Sequence, residues 1–291
     1  MCRFTLYLGP PIRLAALLTE PSHSLIRQSV HSDERDEPLN GDGFGVGWYQ
    51  PDIADEPAVF RSITPAWNNR NLHNIARLIS SSCILAHVRA ASDTSGVNEA
   101  NCHPFRYGRY LLMHNGDIGN FRRVRRRLLE SVCDEAFGNV FGSTDTEHFF
   151  AVVIDELLKR TTTDGGSEQL AEVLDRSIRR VVALVAEHGG GAASSLNVAL
   201  SDGDAVVASR FTSETDREPE TLYVFRGPLY APAHASPRGR RRHEHGEAVV
   251  VASERLTTEA GWRAIPRNTM LRVDRGAEPA FVACGYAAGG R

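Results

Sequence analysis

Several things are missing from this 291-residue sequence, and each absence narrows the choices. There is no Cys-x-x-Cys pair, which argues against a structural zinc site. No apolar run reaches the length of a membrane span. The first ten residues lack a basic stretch followed by a long apolar one, so no signal peptide is expected. The pattern G-x-x-x-x-G-K-[ST] does not occur, which removes the commonest phosphate-binding loop. Net charge is only -3, giving no electrostatic case for nucleic acid or an anionic membrane. Lysine is nearly absent, with Lys159 against 32 arginines, which reads as composition bias rather than function. The five cysteines, Cys2, Cys83, Cys102, Cys133 and Cys284, are odd in number and widely spaced. That excludes a secreted disulfide framework and leads to the expectation of a reducing, cytoplasmic setting. With 42% hydrophobic and 24% charged residues, the chain has material for a sizeable core. One domain over 1–284 with a short tail, 285–291, is expected.

The first 115 residues read mostly as short strands, at 2–8, 44–49, 58–61, 83–89 and 110–114, with a short helix at 71–80. Residues 120–132 place Phe121, Val124, Leu128 and Val132 on one stripe and five arginines opposite, the pattern of a solvated helix. Thr144-Asp145-Thr146-Glu147 is a capping box opening a buried helix to about Arg160, and a second long helix covers 167–187. Strand patterns return at 195–200, 205–210, 222–225, 247–252 and 270–273. The basic stretch 237–246 reads as an exposed hairpin insertion. Strands, two helices, then strands suits a layered α+β domain with antiparallel sheets.

Cys2 becomes the first residue once Met1 is removed. Thiol and free α-amine then share one residue, and an amine titrating near ~8 can take the thiol's proton. Acyl transfer also needs donors for a developing oxyanion. Asn115 offers a side-chain amide and Gly116 an unshielded backbone N–H, although Asn-Gly is equally a turn dipeptide. An amino-acid head group needs a cation for its carboxylate and an anion for its ammonium. Arg89 can supply a bidentate fork and Asp145 a carboxylate; a surface ion pair and simple helix capping are the competing readings. His87, His103 and His114 read as structural, and Trp67-Asn68-Asn69 as either pocket lining or a turn.

In order along the chain stand Met1-Cys2-Arg3, Gly41-Asp42-Gly43-Phe44-Gly45, Ala86-His87-Val88-Arg89-Ala90, Asn101-Cys102-His103-Pro104-Phe105, His114-Asn115-Gly116 and Ser143-Thr144-Asp145-Thr146-Glu147. This series resembles the class II glutamine amidotransferases of the N-terminal-nucleophile hydrolase superfamily. The segments ITPAWNNRNL, SRFTSETD and VVASERLT are similar, more narrowly, to the amidotransferase subunit of the fungal glutathione-degradation complex and to γ-glutamyl hydrolases of ergothioneine synthesis. The resemblance implies a four-layer αββα sandwich. It implies Cys2 as nucleophile and its α-amine as base, Asn115 and Gly116 as the oxyanion hole, and Arg89 and Asp145 as the clamp on a γ-glutamyl head. No metal or organic cofactor is implied. The expected partners are a γ-glutamyl small molecule and a peptidase or synthetase subunit. Stand-alone γ-glutamyl hydrolysis is the leading expectation, followed by a glutaminase subunit feeding a synthetase and then by a non-catalytic scaffold. One departure stands out: Leu39-Asn40 precedes Gly41-Asp42-Gly43 where many family members carry Arg-Gly.

Overall fold

A computed structural model describes residues 2–34, 39–91, 96–160, 165–228 and 247–285. The 237–246 insertion, Met1 and residues 286–291 of the tail lie outside the described residues. In chain order the elements are β1 (Arg3–Arg13), α1 (Ala15–Leu18), α2 (Leu25–Gln28), β2 (Phe44–Trp48), β3 (Ala58–Ser62), α3 (Arg70–Ala76) and β4 (Ser80–Val88). They continue with β5 (Phe105–Tyr107), β6 (Tyr110–Asp117), α4 (Phe121–Glu130), α5 (Asp134–Gly138), α6 (Asp145–Leu158) and α7 (Gly166–His188). The remaining strands are β7 (Ser195–Ser201), β8 (Ala205–Arg210), β9 (Tyr223–Gly227), β10 (Ala248–Ala252), β11 (Trp262–Ala264), β12 (Thr269–Asp274) and β13 (Ala280–Ala283).

The strands form two antiparallel sheets. One has the order β11-β9-β10-β1-β4-β2-β3 and the other β13-β12-β8-β7-β6-β5. Alternation along each strand decides which layer a side chain enters. Phe4, Leu6 and Leu8 of β1 meet Leu85, Leu111, Met113 and Ala199 in the core between the sheets. Tyr7 and Ile12 point the other way, against Leu17, Leu25 and Leu72 of the α1–α3 layer. Leu112, Val198 and Leu200 of the second sheet pack on Phe149, Phe150, Val153, Leu174 and Ile178 of α6 and α7. Three apolar interfaces separate four layers, the expected αββα sandwich. No helix among the described residues is long and apolar enough to cross a membrane.

Capping chemistry sets the helix ends. Thr144 Oγ1 accepts the Glu147 N–H at 3.2 Å, but the Glu147 carboxylate braces the preceding loop at Phe141 and Gly142 N–H, so only half of the predicted box forms. The Asn69 side chain caps α3 by accepting from Leu72 N at 2.8 Å, and a single 3-10 turn, Ala66–Asn68, leads into it. That helix ends at Ala76 rather than Ser80, because Ser80 already pairs with Arg13 in the sheet. All five arginines of α4 are exposed while Val124 and Leu128 are buried, as a solvated face requires.

Candidate active site

One end of the sandwich gathers the residues singled out in the sequence. Arg3 pairs with Val88 and Phe4 with His87, so one step further Cys2 stands across from Arg89. Cys2 continues the face of Phe4 and Leu6, and Arg89 that of Leu85 and His87. Both therefore belong to the inter-sheet side. The half-buried Cys2 thiol lies 3.5 Å from the Ala90 carbonyl. Burial pushes the thiol up, the Ala90 carbonyl contact and the Arg89 charge oppose the rise, and the Asp145 charge adds to it.

Arg89 is itself buried. Its guanidinium donates to the carbonyls of Asp42 at 3.4 Å and Gly96 at 3.3 Å. The Gly41-Asp42-Gly43 turn closes against it: Asp42 N donates to Arg89 O at 3.0 Å, Arg89 N to Gly43 O at 2.9 Å, and Asp42 Oδ2 accepts from Ala91 N at 2.8 Å. Gly43 has φ +115°, and a Cβ there would sit 2.7 Å from Cys102 Sγ, so this turn needs glycine.

The second sheet supplies the opposite wall. Asn115 and Gly116 lie inside β6, paired with Asn197 and Leu196, so the Asn-Gly dipeptide is not a turn. Asn115 is 1% exposed, and neither atom of its amide has a partner among the described residues. Gly116 has φ +145°, and an added Cβ would lie 2.0 Å from Ser195 O. Asp145 opens α6. Its Oδ2 accepts from Ile118 N at 3.0 Å and its Oδ1 from Thr146 N at 2.8 Å, which aims the carboxylate back toward the end of β6. Cys2 and Arg89 are cross-strand neighbours, and Asp145 is held at the end of β6 on the facing sheet.

Behind the wall, three buried histidines tie the sheets together. His87 Nε2 donates to His114 O at 3.3 Å, and His103 Nδ1 accepts from His114 N at 3.4 Å. His114 spans from Thr146 Oγ1 at 2.9 Å to Ser195 O at 3.1 Å; a carbonyl can only accept, so Nε2 carries the proton there. Burial pushes His87 down to about 3 and holds His103 well below its usual range, so both are neutral. They serve as struts, as the sequence reading has them. Cys102 Sγ contacts the carbonyls of Ser62 and Asn98, and burial pushes its thiol up as well.

Sequence reasoning missed the support beside Cys2. Arg3 is buried, and its Nε meets Glu254 Oε1 at 2.5 Å while Nη1 donates to Asn40 Oδ1 at 2.8 Å. Glu254 also receives His23 at 3.0 Å, Ser32 at 2.7 Å and Asp33 N at 3.2 Å. Asn40, at the position where the family pattern differs, is thus part of the mount for Arg3. The Arg in Cys-Arg and the Glu in VVASERLT are plain in the sequence, but nothing local joins residues 251 positions apart. Burial alone would raise the Glu254 carboxyl; hydrogen bonds from His23, Arg3 and Ser32 outweigh it and hold it down at about 2. A depressed carboxyl contributes its full stability above the unfolded value, near 4.5, and loses it as pH falls toward 2. Glu254→Gln is therefore expected to remove this residue's own share of the acid sensitivity between pH 4.5 and 2, about 3 kcal/mol at most, in denaturant titrations across that range; the depressed carboxyl of Asp155 keeps its share. An unchanged pH profile in the variant would refute the assignment.

The chain matches the model of the family described as glutamine amidotransferases class-II over residues 28–286. It is 41% identical to the probable glutamine amidotransferase DUG3 of Saccharomyces cerevisiae, with 94% of this chain and 82% of that one covered. It is 25% identical to a γ-glutamyl-hercynylcysteine sulfoxide hydrolase of Mycobacterium tuberculosis, covering 94% and 93%. A solved glutamine aminotransferase class-II domain protein from Silicibacter pomeroyi superposes with a TM-score of 0.65 at 25% identity, over 97% of this chain and 99% of that one. The chain belongs to the class II glutamine amidotransferases.

Proposed function

We propose that this chain hydrolyses the γ-glutamyl amide bond of glutathione or a related γ-glutamyl compound, with Cys2, freed of Met1, as the nucleophile. As a class II glutamine amidotransferase it is a hydrolase acting on γ-glutamyl amide bonds; substrate and residue roles are the proposal. The observation that carries it is the cross-strand placement of Cys2 opposite Arg89, together with an Asn115 amide on the inter-sheet face of β6 that has no partner among the described residues. A buried amide without partners costs stability, which a chain retains where a ligand supplies the missing partner.

In the proposed cycle Arg89 holds the α-carboxylate and Asp145 the α-ammonium of the glutamyl head. Because burial raises the thiol, little thiolate exists near neutrality and a base is needed. The α-amine of Cys2 takes the thiol proton as sulfur bonds to the γ-carbon. Negative charge collects on the γ-oxygen, where Asn115 Nδ2 and Gly116 N–H donate to it. The C–N bond then breaks, and the ammonium returns the proton to the leaving amine. Water adds to the thioester, glutamate departs, and the thiol is restored. The mycobacterial relative is named for a γ-glutamyl compound larger than glutamine, which supports a peptide-like substrate. From glutathione the released fragment is a dipeptide, so a peptidase partner belongs to the same proposal.

The test is glutamate release from glutathione and from glutamine by protein whose intact mass shows Met1 removed. Release from glutathione at the higher kcat/KM is expected. Preference for glutamine would favour an ammonia-supplying subunit. No glutamate from either substrate above a Cys2→Ala control would overturn the proposal.

A further inference from the structure

Asn115 is not the only residue on this wall with an unanswered polar atom. Asn197 faces it across the β6–β7 pair. Residues directly opposite in an antiparallel pair share a face, and Ala199 puts that face of β7 between the sheets. Asn197 is fully buried. Its Nδ2 donates to Glu220 O at 2.9 Å, and its Oδ1 has no partner among the described residues. The side chain is therefore fixed at one end and presents a bare acceptor at the other.

Strand order tells which side of the nucleophile this acceptor occupies. In the first sheet β1 lies between β4 and β10, and in the second β6 lies between β5 and β7. Arg89 follows β4, and Asp145 opens α6, which packs over β6 and β5, so the head-group residues lie toward β4 in one sheet and β5 in the other. Asn197 is on the other flank. Its anchor Glu220 leads to Thr221, which donates to Ser253 O, and Ser253 Oγ accepts from Phe4 N beside β10. A γ-glutamyl amide whose head lies on Arg89 and Asp145 and whose carbonyl lies on Cys2 extends its leaving group toward this second flank.

We propose that Asn197 is a substrate-binding residue of the leaving-group side, its Oδ1 accepting the N–H of the scissile amide. This rests on the reading of Cys2, Arg89 and Asp145 given above. The ligand class is a γ-glutamyl secondary amide, in which the single N–H has one direction and the rest of the leaving group continues past it. The acceptor holds that N–H while the nitrogen turns tetrahedral and its lone pair faces the ammonium of Cys2.

The claim is separable from a role in folding because an ester has no N–H. The full chain lacking Met1 is assayed on glutathione and on glutamate γ-benzyl ester, reading kcat/KM so that acylation is compared. Asn197→Ala is expected to lose about tenfold on the amide and less than twofold on the ester. Asn197→Leu fills the volume with no polar atom and should show the same split. The Glu220 carbonyl keeps Arg210 Nε at 3.0 Å as a donor in both variants. Equal loss on amide and ester, or no loss on the amide, overturns this inference and leaves the nucleophile assignment standing. A wild-type chain that cleaves neither substrate overturns the nucleophile assignment and this inference together.

Discussion

Cys2→Ala is expected to lower γ-glutamyl hydrolysis by about 10⁴-fold or more, because no other group in the constellation can form the acyl bond. Cys102 is no substitute: it sits against the Ser62 and Asn98 carbonyls, and burial raises its thiol. The fold should be indifferent to the change, since Cys2 makes one weak sulfur contact and stands outside the β1 ladder. A sharper companion is an alanine inserted between Met1 and Cys2. Methionine removal then leaves Ala-Cys at the start, with the thiol intact and the base displaced by one residue. If the α-amine of Cys2 is the base, this variant should be nearly as inactive as Cys2→Ala. Its activity is measured by glutamate release and its N-terminus by intact mass. Wild-type rates from the inserted chain would show that another group takes the proton.

The second large effect is expected at Asn115. Removing one oxyanion donor costs about 10²- to 10³-fold in kcat, and Asn115→Ala should fall in that range with a much smaller change in KM. Stability should move the other way. Neither Asn115 amide atom has a partner among the described residues, so truncation ends the desolvation cost of an unpaired amide without breaking a protein hydrogen bond. The variant should melt at the wild-type temperature or above it. A large drop in melting temperature would mean that the side chain holds the wall together and that the lost activity is indirect.

Much of this site could be read from the chain because its parts are local. Arg89 one residue past a strand, Asp145 after a capping threonine, and Asn115-Gly116 at the end of an apolar strand each announce themselves within a few residues. The Asn-Gly pair also shows where local reading misleads: the dipeptide suits a turn, yet the ladder to Asn197 and Leu196 keeps it extended. Short elements escaped for a related reason. The four residues of α1 are all buried, so no periodicity marks them. The 3-residue β5 and β11 are defined by pairing with β6 and β9 rather than by their own pattern. The four layers came from family resemblance; alternation alone supports antiparallel sheets. Asn197 and the Arg3–Glu254 mount were illegible because their meaning lies in which distant residue stands opposite.

That mount bears on the order in which the molecule is built. The strand that follows Cys2 is closed on one side by β4 and on the other by β10, and Arg3 reaches its carboxylate only at residue 254. β1 can meet β4 once residue 88 has been made, but its second neighbour and the partner of Arg3 come only with residues 248–254. On the proposed reading, removal of Met1 belongs to that interval, before the thiol of Cys2 has a wall to work against. Under that proposal, late closure of the first strand separates the trimming of the N-terminus from the assembly of the centre built on Cys2.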